Sequence, residues 1–156
     1  MQNFRMAGFT MVELVLVIVI LGVLASIAGP RFFGNREFSE RGYRDELAAT
    51  LRYAQKVAVA SGCPVRTSVN AAGYTLNQQA VLNGHCDPAD SSYSMPVLLA
   101  NGQVAAGTTP VGVTVVPALV LHYDTLGRTD LASDETVTVG SQSLTIQAAS
   151  GLVLTP

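Results

Sequence analysis

From the N-terminus, the chain opens on an almost unbroken apolar run from Phe9 to Ala28, FTMVELVLVIVILGVLASIA, interrupted by one carboxylate, Glu13. About 20 residues of this kind form a helix about 30 Å long, the thickness of a bilayer's hydrocarbon core. From Arg31 to Gly62 the pattern changes. Phe38, Tyr43, Leu47, Leu51, Ala54 and Ala58 recur at spacings near three and four, while Arg41, Arg44, Asp45, Arg52 and Lys56 fall on other faces. That periodicity predicts an amphipathic helix whose apolar stripe packs under a sheet. Gly42 weakens it, and Gly62 is a stop signal. Between the two stretches, Gly29 lowers helix propensity and Pro30 removes a helical hydrogen bond, which predicts a kink or locally melted turn near Ala28–Arg31.

After Cys63-Pro64 the period drops to two. VRTSV, NAAG and YTLNQQAVL read as strand, turn and strand. Asn83–Ser94 reads as a polar loop, and LLANGQV carries a hairpin turn at Asn101-Gly102. VGVTVV, ALVLHYD, ETVTVG, SLTIQ and GLVLTP read as further strands, with turns at Asp124–Gly127, Gly140-Ser141 and Ser150-Gly151. The expected fold class is therefore α+β, with a long N-terminal helix, half transmembrane and half packed, on a C-terminal antiparallel β-rich domain.

Composition narrows the function classes. Of 156 residues 13% are charged and the formal charge is −2, so no general electrostatic pull toward nucleic acid or anionic lipid exists. From Cys63 onward Arg66 and Arg128 face Asp87, Asp90, Asp124, Asp130, Asp134 and Glu135, a net acidic half. Cys63 and Cys86 are the only cysteines, and an oxidising compartment would join them. The bond would close a loop of about 24 residues, worth about 3.5 kcal/mol in the chain-entropy model.

The apolar run leaves three readings open. Its Phe, Val, Ile and Leu side chains contribute roughly −4 to −8 kcal/mol to insertion against about +3 for one central charge, so insertion wins even with Glu13 ionised. A cleaved secretory signal would need a shorter apolar region, because the small-residue site Ala25-Ser26-Ile27-Ala28 comes only after the whole run. A plain single-span anchor leaves Glu13 without a purpose. Processing after Gly8 would free Phe9 as a new N-terminus and make Glu13 the fifth residue of the mature chain. An intramembrane acid ordinarily has an ionisable partner. The simpler alternative is an acid favoured by the positive end of its own helix dipole.

GFTMVELVLVIVILGVLASIAGP resembles the N-terminus of type IV pilins and type II secretion pseudopilins, matching Gly8, Phe9, Thr10, Glu13, the apolar run and Pro30. The resemblance implies that prepilin peptidase cuts after Gly8 and that Phe9 is N-methylated. It also implies that Glu13 neutralises the terminal ammonium of a neighbouring subunit, and that the Pro30 region loosens during packing. The organisation that follows is a leader over 1–8, a transmembrane and assembly helix over 9–29, the amphipathic half of the helix over 30–62, and a β-rich domain over 63–156.

LRYAQKVAVASG running into a strand, LHYDTLGR and the closing TIQAASGLVL resemble the GspH/FimT group of minor pilins. PRFFGNREFSERGYRDELAATLRYAQKVAVASGCPV is similar, more narrowly, to the MshC-type minor pilin of mannose-sensitive haemagglutinin (MSHA) pili. This implies a structural subunit of the inner membrane of a Gram-negative bacterium, later part of a surface pilus. Its partners would be other pilin subunits, prepilin peptidase and the membrane, with no nucleic acid and no small-molecule substrate. The alternatives are a GspH-like pseudopilin of type II secretion and a FimT-like DNA-uptake pilin.

No residue set asks for catalysis, a metal or a cofactor. His85, Cys86 and Asp87 with Cys63 and His122 match no zinc spacing. His122-Tyr123-Asp124 lies on an alternating strand and its turn, without a nucleophile motif. Asp87, Asp90 and Ser91-Ser92 lack the alternation of a calcium loop.

Overall fold

The structure, a computed structural model, describes residues 10–32 and 35–156, with side chains described for 10–25 and 36–156. It forms two compact units divided between Asn35 and Arg36.

The first unit carries helix α1, Met11–Phe32. Thr10 caps it: the Glu13 amide donates to Thr10 Oγ1 at 3.2 Å and the Leu14 amide to the Thr10 carbonyl at 3.2 Å. The hydroxyl thereby satisfies a first-turn amide that has no carbonyl inside the helix. α1 continues through Gly29 and Pro30 and ends at Phe32. A proline costs its helix one amide hydrogen bond, and the flanking bonds carry the helix past it. From Met11 to Leu24 apolar side chains stand exposed on every face. Among the described residues no helix is long and apolar enough to cross a membrane. The span expected from the sequence, Phe9 to Ala28, begins and ends outside the residues whose side chains are described.

The second unit holds all but the first residue of α2, Asn35–Ser61, which ends where Gly62 adopts φ +66°. Tyr43, Leu47, Leu51, Ala54 and Ala58 are buried, as the stripe predicts, together with Ala48. Phe38 is the exception at 81% exposure, so the packed stripe begins a turn later than its spacing implies. At the second turn's inward position stands a carboxylate, Glu40, 4% exposed.

Two antiparallel sheets complete the core. The hairpin of β1 (Val65–Asn70) and β2 (Gly73–Gln78) pairs Asn70 with Gly73, and the Asn70 side-chain oxygen accepts from the Ala72 amide at 2.8 Å. Two tiny strands, β3 (Val81–Leu82) and β4 (His85–Cys86), pair with each other through a turn at Asn83-Gly84. This ribbon replaces the first part of the expected polar loop. β5 (Met95–Pro96) and β6 (Ala106–Thr108) both lie on the outer side of β2. Neither was legible, because a strand of two or three residues has no period to read. The expected strand over 111–116 shrinks to β7, Val115–Val116, because Val113 closes a turn onto the Pro110 carbonyl at 3.1 Å. β8 (Leu119–Tyr123) pairs with β1, completing the order β5-β2-β1-β8 with β6 beside β2. β9 (Glu135–Val139), β10 (Gln142–Ile146) and β11 (Val153–Leu154) form the second sheet with β7, in the order β11-β10-β9-β7. LLANGQV keeps its turn but pairs only through Leu98 and Val104.

The inward residues of both sheets close over α2. Val65, Val69, Leu76, Leu121 and Tyr123 from one sheet, and Val137, Val139, Leu144 and Ile146 from the other, join the α2 stripe in one cluster. Alternation of buried and half-buried positions along β1, β9 and β10 follows the pleat.

Candidate functional site

At the head of α1, Thr10 and Glu13 form the S/T-x-x-E spacing of a capping box, a signal the sequence reading passed over. Glu13 lies in the first helical turn and is exposed. The salt bridges among the described residues do not involve it. Its position suits both the dipole reading and docking to a cation on another chain. Gly8 and Phe9, the cleavage and methylation positions, lie outside the described residues.

The disulfide joins Cys63, buried just after α2, to Cys86 on β4, with their Cα atoms 5.4 Å apart. It ties the segment 79–94 to the helix end. Within that segment the Asp90 carboxylate accepts from the Ala80 and Ser94 amides at 2.8 and 2.9 Å, and from the Ser92 hydroxyl at 2.6 Å. The Ser92 amide and Ser94 hydroxyl add two more bonds, at 3.1 and 2.9 Å. These donors, Ser92 first, hold the Asp90 carboxyl far below its usual range. A carboxylate so occupied organises a loop rather than an ion. Among the described residues no group of His, Cys, Asp and Glu is placed to hold a metal.

Tyr93 then lays its ring over the outer face of the first sheet. The Arg66 guanidinium stands 5.5 Å from its centroid and the His122 ring 4.9 Å away. His122 Nδ1 meets Asp130 Oδ2 at 2.6 Å, and the His122 amide donates to Asp130 Oδ1 at 2.8 Å. Burial raises the Asp130 carboxyl, but the bonds from His122 outweigh it and leave it lowered. The HYD tripeptide is thus taken apart. His122 faces Asp130, Tyr123 points into the core, and Asp124 caps its turn by accepting from the Leu126 and Arg128 amides at 2.8 Å.

Cross-links between α2 and the sheets form the other polar cluster. The buried Glu40 accepts from the Ser141 amide at 2.8 Å and hydroxyl at 2.7 Å, and pairs with Arg36 at 3.2 Å. The Ser141 bonds, the amide's first, lower its carboxyl. Tyr74 donates to Glu46 at 2.6 Å; burial first and that acceptor second push its phenol up to about 12. Arg44 reaches Gln142 at 3.2 Å, Arg52 the Val153 carbonyl at 2.9 Å, and Gln55 the Gly127 and Ser150 carbonyls at 2.8 Å. Arg44 and Arg52, which fall off the apolar stripe, and Gln55 therefore clamp the helix to the sheets. Helical spacing places them beside the stripe, but only the fold supplies the carbonyls they reach.

A helix apolar on all sides, and a helix-on-sheet unit stapled by one disulfide, make an α+β arrangement consistent with the pilin fold. Comparison with known proteins agrees. The family model of the prokaryotic N-terminal methylation motif matches residues 3–29. Type II secretion system core protein G of Pectobacterium carotovorum is 53% identical over 40 residues, 26% of each chain. Its namesake in Aeromonas hydrophila is 49% identical over 41 residues, 26% of this chain and 29% of the relative. Type IV narrow pilus major component PilA5 of Thermus thermophilus is 42% identical over 62 residues, 38% of this chain and 53% of the relative. The matches thus span about a quarter to a half of these relatives. No solved structure matches. The findings support the pilin and pseudopilin superfamily, a structural rather than an enzymatic class.

Proposed function

We propose that the chain is a minor pilin of MSHA type. In this reading prepilin peptidase removes residues 1–8 after Gly8, Phe9 is N-methylated, and residues 9–29 hold the subunit in the inner membrane of a Gram-negative bacterium. The domain from 63 onward then faces the periplasm until the subunit enters or initiates a pilus. Glu13 docks on the terminal ammonium of a neighbouring subunit, and Pro30 marks where the helix loosens during packing. The observation that carries the reading is the methylation motif over residues 3–29, which contains Gly8, Phe9 and Glu13 together. The cysteine pair and the α2 sequence favour the MSHA type. Mass spectrometry of the mature N-terminus tests it: the expected species begins at a methylated Phe9, and an assembled filament retaining Met1–Gly8 would overturn it.

A second reading keeps the filament and changes the machine. The alternative is a minor pseudopilin of type II secretion: the segment similar to core protein G is common to both systems and does not separate them. Surface immunodetection separates them, since a pseudopilin stays in the periplasm. DNA capture as in FimT-like pilins is disfavoured: phosphate binding needs clustered cations, and of the two arginines past Cys63 one is already stacked on Tyr93.

A further inference from the structure

The sequence contains two Asn-Gly pairs, Asn83-Gly84 and Asn101-Gly102, both exposed at turn tips. Asn-Gly is the dipeptide most prone to losing ammonia, because glycine puts no side chain in the way of its own amide nitrogen. That nitrogen attacks Cγ of the asparagine, its proton passes to water, the Cγ–Nδ2 bond breaks and ammonia leaves, closing a succinimide. Water then opens either carbonyl of the ring, giving aspartate or its β-linked isomer. Water is the only co-reactant. The rate depends on whether the glycine amide and the asparagine side chain are free to meet.

The fold treats the two pairs oppositely. At the second, the Gly102 amide donates to the Leu99 carbonyl at 2.9 Å, and Asn101 Oδ1 accepts from the Gln103 amide at 3.0 Å. Both reacting groups are held. At the first, Asn83 (φ +53°) and Gly84 (φ +81°) form the two-residue tip between β3 and β4. The hairpin's bonds pass between Leu82 and His85 below the tip, and the Asp87 amide donates to Ala80 at 2.8 Å. Among the described residues neither the Gly84 amide nor the Asn83 side chain has a hydrogen-bond partner. A ribbon of two residues per strand also opens readily.

We propose that Asn83 is a site of spontaneous deamidation and that Asn101 is protected by its turn. The modification adds a carboxylate near Asp87 and Asp90. In its β-linked form it also inserts an extra backbone atom into a turn that has room for two residues, loosening the segment that the disulfide ties down.

The test uses the full chain purified in detergent with its disulfide intact, held in mildly alkaline buffer and sampled by peptide-mapping mass spectrometry with isoaspartate detection. Two surface hydrogen bonds must open before Asn101 reacts, so acid at position 83 is expected to accumulate roughly tenfold faster or more. In the reduced chain unfolded by denaturant the two sites are expected to convert at similar rates. Asn83→Gln removes the fast component and leaves the slow one unchanged. Asn101 keeping pace in the folded chain would overturn the proposal. So would a preference for Asn83 that persists after unfolding, because it would then come from local sequence and not from the turn.

Discussion

Glu40 shows how much one side chain can hold. It is a buried carboxylate whose acceptor sites are filled by the Ser141 amide and hydroxyl and by Arg36. A Cβ on Gly140 (φ +59°) would stand 2.0 Å from its carboxyl carbon, so the turn and the acid fit only as a pair. Gly140→Ala is therefore expected to destabilise the domain by about 2 kcal/mol, from left-handed backbone strain and displacement of Glu40, measured by chemical unfolding. The pH dependence has a definite sign. Glu40 and Asp90 both have lowered carboxyls, so the folded state favours their charged forms. Their contribution is fully present above the ordinary carboxyl range and is lost as pH falls through the lowered values. Glu40→Gln should lower the melting temperature at neutral pH and flatten its fall on the acid side. An acid limb as steep as in the parent would contradict this account. Nothing in the sequence marked Glu40 as an inward residue, because a carboxylate beside Arg36 and Arg41 reads as part of a solvated face.

On the scale of elements, α2 divides into positions that its period identifies and positions that it misplaces. Leu51 is fully buried and Phe38 is 81% exposed, although both sit on the same predicted stripe. Leu51→Ala is expected to cost 2–5 kcal/mol, roughly, through lost burial and a residual cavity. Phe38→Ala should change stability by less than about 0.5 kcal/mol. Thermal unfolding of the pair checks both, and a large loss at Phe38 would restore it to the core. The strands β1, β2, β8, β9 and β10, of five or six residues, are long enough to alternate and legible in the sequence, whereas the strand expected over GLVLTP shrinks to the two residues of β11. β3 to β7 were absent or overdrawn, since pairing with a neighbour defines them and local pattern does not. The disulfide belongs to this scale as well. Replacing both cysteines by serine should cost up to about 3.5 kcal/mol and release the segment 79–94 to faster amide exchange.

For the whole molecule, the exposed apolar surface of α1 has no use in an isolated subunit and suits a bilayer or a bundle of like helices. Glu13→Ala is expected to leave membrane insertion intact while pilus assembly falls to a small fraction of normal, scored by filament yield from cells. Normal assembly by that variant would remove the charge pair on which the docking rests. The chain alone determined its apolar N-terminal helix, the acid in its first turn, the α+β class and the pairing of its two cysteines. Each of these depends on composition or on a period carried by consecutive residues. Tertiary structure alone decided that Glu40 turns inward, that Arg44, Arg52 and Gln55 become clamps, and that Tyr93 lies over Arg66 and His122. It also left one Asn-Gly turn open and the other closed. All but the contrast between the turns arise from partners many positions apart in the chain, whose meeting no local pattern encodes.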